Sequence, residues 1–331
     1  MGMPLSEAIE RLHGACAEFA DGEPSLARLY EVLFPLIIVE RTMDRAVVST
    51  FKRLGAGSFA TVFVSEGRGG VVIKQVQDPA NASLLCKEHG DLQKLMETCE
   101  AGAGEPSFFS LPRPFGFYSD FFTFAREVGI PRTVDLGLPP HAMYVMQRIW
   151  PVPPSLTERI RALFFPDAVK DQPFAPFLAR LYLGRAHCRA GSRFFCSENF
   201  PLDAARIEQL ALPADQIAAG MGCMLAKMNF RAGLDGRDIE FVLCGDANNP
   251  LSKQPAFSCI DFNQMRPHGG DAAAIVSAIV ANDPYYPRPS SPQWANFADA
   301  YTAEAACVGS SSAVLSQQVL AALYERWAEQ L

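Results

Sequence analysis

Gly55-Ala56-Gly57-Ser58-Phe59-Ala60-Thr61-Val62, followed by Val72-Ile73-Lys74, is the stretch whose reading decides the fold. Residues 48–64 read as two strands joined by a glycine turn, and residues 70–76 as a third strand rich in β-branched side chains. Glycines let a backbone turn tightly and approach a phosphate, while a lysine on the next strand supplies a point charge. Helical spacing follows through Leu84, Leu85, Leu92, Leu95 and Met96. That helix carries Glu88, the carboxylate expected to partner Lys74.

The rest of the chain bounds what such a turn can serve. At 331 residues, 49% hydrophobic and 20% charged, it has material for two lobes sharing a cleft. A net charge of -7 excludes a wholly basic nucleic-acid binder, and no DNA partner is expected. The nine cysteines stand singly, with no C-x-x-C pair and dispersed histidines, so no zinc site or other metal centre is expected. An odd cysteine count and an N-terminus without an apolar signal core suit a reducing, cytoplasmic setting. No apolar run approaches the roughly 18 residues of a membrane span, and Gly2 with Ser6 matches the loose myristoylation pattern by chance.

Periodicity divides the chain into a helical extension over 1–47, a sheet-rich part over 48–150 and a helical part over 151–331. Stripes at 5–20 and near 26–40 predict helices in the extension. Residues 101–142 predict loops and short strands. MYVMQRI (143–149) predicts a buried strand, which the prolines of WPVPPS stop. Helices are expected at 155–165, 213–232, 271–280 and the C-terminus. EFVL (240–243) and FSCIDF (257–262) predict a hairpin beneath an active site.

The glycine turn with its V-I-K strand closely resembles the glycine-rich loop and phosphate-binding lysine of protein kinases, and MYVMQRI resembles the strand that leads into their hinge. Gly233-Leu234-Asp235-Gly236-Arg237-Asp238 stands where kinases carry H-R-D, and Cys259-Ile260-Asp261-Phe262-Asn263 where they carry D-F-G. The expected fold is therefore α+β and protein-kinase-like: an N-lobe antiparallel sheet with one main helix and a mostly helical C-lobe. The departures bear on chemistry. Gly236 replaces the histidine, Glu240 takes the place of a metal-binding Asn, Asn263 replaces the last glycine, and no A-P-E follows. A kinase scaffold is better supported than kinase chemistry.

Other segments resemble a narrower group. YVMQRIWPVP (144–153), ARLYLGR (179–185), FCSENFPL (195–202), MNFRAGLDGRDIEFVLCG (228–245), CIDFNQM (259–265) and NDPYYPRP (282–289) look like a fungal family of unknown function, labelled zinc-finger-like. Some of its relatives are arginine-containing cyclodipeptide synthases. The resemblance implies an enzyme that takes amino acids from arginyl-tRNA and a second aminoacyl-tRNA and joins them as a diketopiperazine, with no cofactor. Magnesium and ATP belong only to the rival reading.

Two requirements of such chemistry can be sought in the residues. A tRNA acceptor end needs phosphate neutralisation, and Arg180, Arg185, Arg189 and Arg193 lie in a basic run over 159–193. An arginyl substrate needs a carboxylate fork, and Asp235, Asp238 and Glu240 crowd into six residues of the expected cleft floor. Asp238, Glu240 and Asp261 are the expected catalytic residues. Lys74, Glu88, Asp235, Asn199, Asn263 and Arg231 are expected to bind substrate. Asp235 as a turn residue and Asn199 as a cap remain open beside those roles. The rival functions are an ATP-dependent phosphotransferase, with Asp238 as base and Asp261 on magnesium, and a catalytically silent pseudokinase serving as a binding module.

Overall fold

The computed structural model describes residues 51–65, 70–100, 107–127, 138–185, 197–198, 200–246 and 252–328. The helices predicted at 5–20 and 26–40, and the candidates Arg189, Arg193 and Asn199, lie outside them. The chain divides into two compact units: one ends at Glu97 and resumes over Arg113–Arg148, and the other takes Thr98–Pro112 and resumes at Ile149.

The first unit is a five-stranded antiparallel sheet. Its strands are β1 (Phe51–Ala56), β2 (Ala60–Ser65), β3 (Val71–Val76), β4 (Pro114–Tyr118) and β5 (Met143–Gln147), in the order β1-β2-β3-β5-β4. β3 is central, and its run of β-branched residues is almost wholly buried. A 3-10 turn over Pro79–Asn81, capped by Asp78 accepting from the Ala80 N–H, leads into α1 (Ala82–Glu100). α1 buries Leu85, Leu92 and Leu95 completely. Ile73, Tyr118, Phe124, Met143 and Val145 form the sheet's core. Phe124 comes from α2 (Phe121–Glu127), a short helix in a stretch expected to hold only loops and strands. Asp120 nucleates α2 by accepting from the Thr123 N–H at 2.8 Å. Strand order, glycine turn and the helix between β3 and β4 are those expected of a kinase-like N-lobe.

The second unit is mostly helical: α3 (Pro154–Phe164), α4 (Ala204–Gln209), α5 (Ala214–Ala226) running into a π-helical turn at Lys227–Arg231, α6 (Ala272–Ala281), α7 (Trp294–Val308) and α8 (Ser310–Ala328). The predicted hairpin exists as β8 (Glu240–Gly245) and β9 (Pro255–Ile260), but inside a larger sheet of order β7-β6-β8-β9. β6 (Ala179–Tyr182) and β7 (Phe200–Asp203) pair in parallel. Each has only four residues, too few for period-2 alternation to stand out. α7 was likewise unforeseen, although Phe297, Tyr301 and Ala305 carry its fully buried stripe.

Two of the motif segments meet through their backbones. Leu183 N–H donates to the Tyr285 carbonyl at 3.0 Å, and Gly184 N–H to the Pro284 carbonyl at 2.9 Å. A Cβ on Gly184 would stand 2.6 Å from the Tyr286 carbonyl oxygen, so only glycine fits this approach. Among the described residues no helix is long and apolar enough to cross a membrane.

Candidate functional site

In the first unit, Lys74 on β3 meets Glu88 on α1. The Lys74 Nζ lies 2.6 Å from Glu88 Oε1, and the Tyr144 hydroxyl donates to the same oxygen at 3.2 Å. Glu88 is 1% exposed, so its charge depends on these partners. Lys74 also lies 5.9 Å from the ring centroid of Phe59, in the turn between β1 and β2. That turn closes through the Gly57 N–H on the Ala60 carbonyl and the Gln77 amide on the Gly57 carbonyl. A Cβ on Gly55 or Gly57 would meet nothing within 4 Å, and neither glycine has a positive φ. The fold itself does not demand glycine here, while the open space suits close approach of a ligand to the backbone.

In the second unit the acidic residues gather at one end of the β8–β9 hairpin. Glu240 opens β8 and pairs in register with Ile260, and Asp261 follows β9 directly. Asp238 precedes β8. Asp238 and Asp261 both adopt left-handed backbone at φ 63, a conformation Asp tolerates better than most residues but one that its surroundings must hold. Burial pushes the Glu240 carboxyl up to about 7, with Arg180 opposing and the Asp261 and Asp238 charges adding to the rise. Arg180, on the neighbouring β6, places its Nη2 2.5 Å from Glu240 Oε1. The Gln264 amide donates to Asp238 Oδ2 at 2.6 Å. Buried atoms of this region without a hydrogen-bond partner include Arg180 Nε, Asn263 Oδ1 and the Tyr285 hydroxyl.

The remaining candidates have other surroundings. Asp235, 5% exposed, accepts the Arg237 and Arg266 N–H groups on Oδ1 at 3.1 and 2.9 Å, which makes it the stitch of its turn. Arg231 pairs with Glu304 on α7 at 2.5 Å. Arg185 lies over the Tyr182 ring. Arg180, expected at a phosphate, pairs with Glu240. A surface cavity of about 780 Å³, lined by Glu208, Leu212, Pro213, Asp215 and Pro292 among others, contains none of the expected site residues. The residues that sequence reasoning missed are Asn282 and Gln264, which hold Asp238. Both lie in segments noted for resemblance, NDPYYPRP and CIDFNQM, but neither carries a charge that would mark it.

A family of unknown function, DUF3669, described as "Zinc finger protein", matches residues 259–313. The cysteines and histidines of that stretch are Cys259, His268 and Cys307, short of a four-ligand site. Among the described residues no group of three or more His, Cys, Asp or Glu is placed to hold a metal ion. No curated protein matches the chain. One solved structure it resembles is the GDP complex of an aminoglycoside 2'-phosphotransferase variant, at 8% identity and a TM-score of 0.25, covering 90% of this chain and 98% of that one.

Proposed function

We propose that this chain is an aminoacyl-tRNA-dependent cyclodipeptide synthase that joins arginine to a second amino acid. The observation that carries this reading is the gathering of Asp238, Glu240 and Asp261 at one end of the β8–β9 hairpin, where burial pushes the Glu240 carboxyl up to about 7. A carboxylate poised near neutral pH suits a general base. The sequence resemblance supplies the substrate class, and the matched family of unknown function agrees with its coarser form.

The chemistry is acyl transfer in two steps. Glu240 takes a proton from the α-ammonium of one aminoacyl group, and the freed amine attacks the ester carbonyl of the other. A C–N bond forms, the ester C–O bond breaks, and the ribose hydroxyl of the first tRNA leaves with a proton. The second amine then attacks the remaining ester, releasing the second tRNA and closing the six-membered ring. Asp238 and Asp261 offer carboxylates to the guanidinium, and the orphaned Asn263 Oδ1 an acceptor for an N–H. The ester is already activated, so the reaction needs no ATP. Arg185, with Arg189 and Arg193 beyond the described residues, would meet tRNA phosphates. Charged tRNA is a cytoplasmic substrate, and the enzyme belongs in that compartment.

One observation favours a second reading, phosphotransfer. The Lys74–Glu88 pair and the open glycine turn are the parts a nucleotide triphosphate requires. The two are separated by incubating the protein with charged tRNAs and seeking cyclo-arginyl dipeptides by mass spectrometry, with and without RNase. Product that vanishes after RNase treatment supports the synthase. Absence of product, together with Mg-ATP stabilisation and phosphate transfer, replaces it with the phosphotransferase; absence of all three leaves the silent binding module.

A further inference from the structure

Asn282, one of the two residues that hold Asp238, belongs to the NDPYYPRP segment. It lies directly after α6, is 5% exposed, and uses both ends of its carboxamide on one turn. Its Oδ1 accepts the Asp238 N–H at 2.6 Å, and its Nδ2 donates to the Gly236 carbonyl at 2.8 Å. Gly236 and Asp238 have φ of 69 and 63, so the turn is left-handed at both bonded residues. Left-handed backbone at a non-glycine residue persists only where the surroundings over-determine it. Asn282 is itself fixed, since its N–H bonds to the Ala278 and Ile279 carbonyls and its carbonyl accepts the Tyr285 N–H. The donor–acceptor pattern demands a carboxamide: a carboxylate could accept from Asp238 but would repel the Gly236 carbonyl.

We propose that Asn282 is the positioning residue of the acidic cluster: its carboxamide clamps the Gly236–Asp238 turn and thereby sets where the Asp238 carboxylate stands relative to Glu240. Asn282 touches none of the three carboxylates' reacting oxygens through its side-chain bonds; it acts through the backbone of Asp238. The inference rests on reading the cluster as the reacting centre, but the clamp can be tested without any activity. The groups acting on Glu240 are Arg180 from β6, Asp261 from the end of β9 and Asp238 from the clamped turn, with Tyr285 and Cys259 also interacting with it.

The test follows the Glu240 side-chain carboxyl by 13C NMR titration in the full chain, comparing wild type, Asn282→Ala, Asp238→Ala and the double variant. Asn282→Leu is the companion, since it keeps the buried volume while removing both hydrogen bonds. With the clamp gone the Asp238 charge moves off Glu240, and the Glu240 midpoint falls below its wild-type value. Asp238→Ala alone lowers it too, and adding Asn282→Ala then changes nothing further. An unchanged midpoint in a folded Asn282→Ala or Asn282→Leu protein overturns the proposal, as does a further fall in the double variant. In the synthase assay, kcat of Asn282→Leu drops about a hundredfold with KM for charged tRNA unchanged, the scale of an ångström-sized misplacement. A wild-type protein that makes no product defeats the synthase reading and leaves the titration to decide the clamp.

Discussion

Arg180 and Glu240 reach each other diagonally across neighbouring strands, with Nη2 and Oε1 2.5 Å apart. Arg180 lies opposite Val242 in the β6–β8 register, so Glu240, two residues along, projects from the same face of the sheet. Both side chains are largely shielded, at 29% and 16% exposure, so each charge depends on the other. The pair therefore tunes Glu240, whose carboxyl burial pushes up to about 7.

Removing the cation tests that coupling. Arg180 is the influence that lowers the Glu240 midpoint, so Arg180→Met raises it above about 7. Glu240 then meets neutral pH protonated, and the acid limb of any base-dependent rate moves to higher pH. Because Glu240 neutralises itself, the stability loss in urea stays at about 1–3 kcal/mol. A midpoint that does not rise removes Arg180 from this role.

Asp261→Asn works in the opposite direction. Asn tolerates the left-handed backbone as Asp does, and the change deletes a charge that raises Glu240. The Glu240 midpoint falls. A carboxyl whose folded value lies above its ordinary one of 4.5 favours folding below that value and loses the contribution as pH rises through about 7. Asp261→Asn therefore narrows the difference in urea stability between pH 5 and pH 8, by about 1.4 kcal/mol for each pH unit the midpoint moves. Equal pH dependence in variant and wild type contradicts this.

Lys74 and Glu88 are predicted to be energetically coupled. Glu88 is fully buried, so Lys74→Met removes the cation that answers its carboxylate, at a cost of about 3–5 kcal/mol. Glu88→Leu costs about as much, and the double variant costs less than the sum. Additive losses in chemical denaturation would mean that the pair contributes no specific interaction.

Gly184→Ala tests the junction of two motif segments. The new methyl meets the Tyr286 and Pro284 carbonyl oxygens at 2.6 and 2.8 Å, backbone atoms that have no rotamer to change. A loss of about 1–3 kcal/mol is expected in thermal or urea unfolding. Wild-type stability would show that the Pro284–Tyr286 backbone yields freely.

Thiol reactivity separates the cysteines. Burial pushes Cys99 up to about 11 and Cys244 up to about 12, whereas Cys86 and Cys307 are exposed. With iodoacetamide at pH 8, peptide mapping should find, among the described cysteines, Cys86 and Cys307 alkylated before Cys99, and Cys244 only after unfolding. Fast labelling of Cys244 in the native protein would contradict its burial.

Much of the fold was legible because its signals are local. A glycine turn between β-branched runs, a lysine on the next strand and a leucine stripe carrying Glu88 each declare themselves within one element. Short elements were not legible. β6 and β7 are four residues long and paired in parallel across the chain, with β8 lying beside β6 alone, so each depends on a partner distant in sequence. In the site, carboxylates announced themselves by charge and crowding, whereas Asn282 and Gln264 are neutral side chains whose importance is a matter of what they touch.

The amino-acid sequence by itself determined that a lysine-bearing strand follows a glycine turn, that a helix brings Glu88 after it, and that Asp238, Glu240 and Asp261 border a hairpin. Those follow from periodicity, which neighbours along the chain impose. Only the tertiary structure decided which arginine answers Glu240, that Asp235 stitches a turn, and that Asn282 clamps the backbone of Asp238. Those depend on side chains distant in sequence becoming neighbours in space, where burial makes each buried charge and amide find a particular partner.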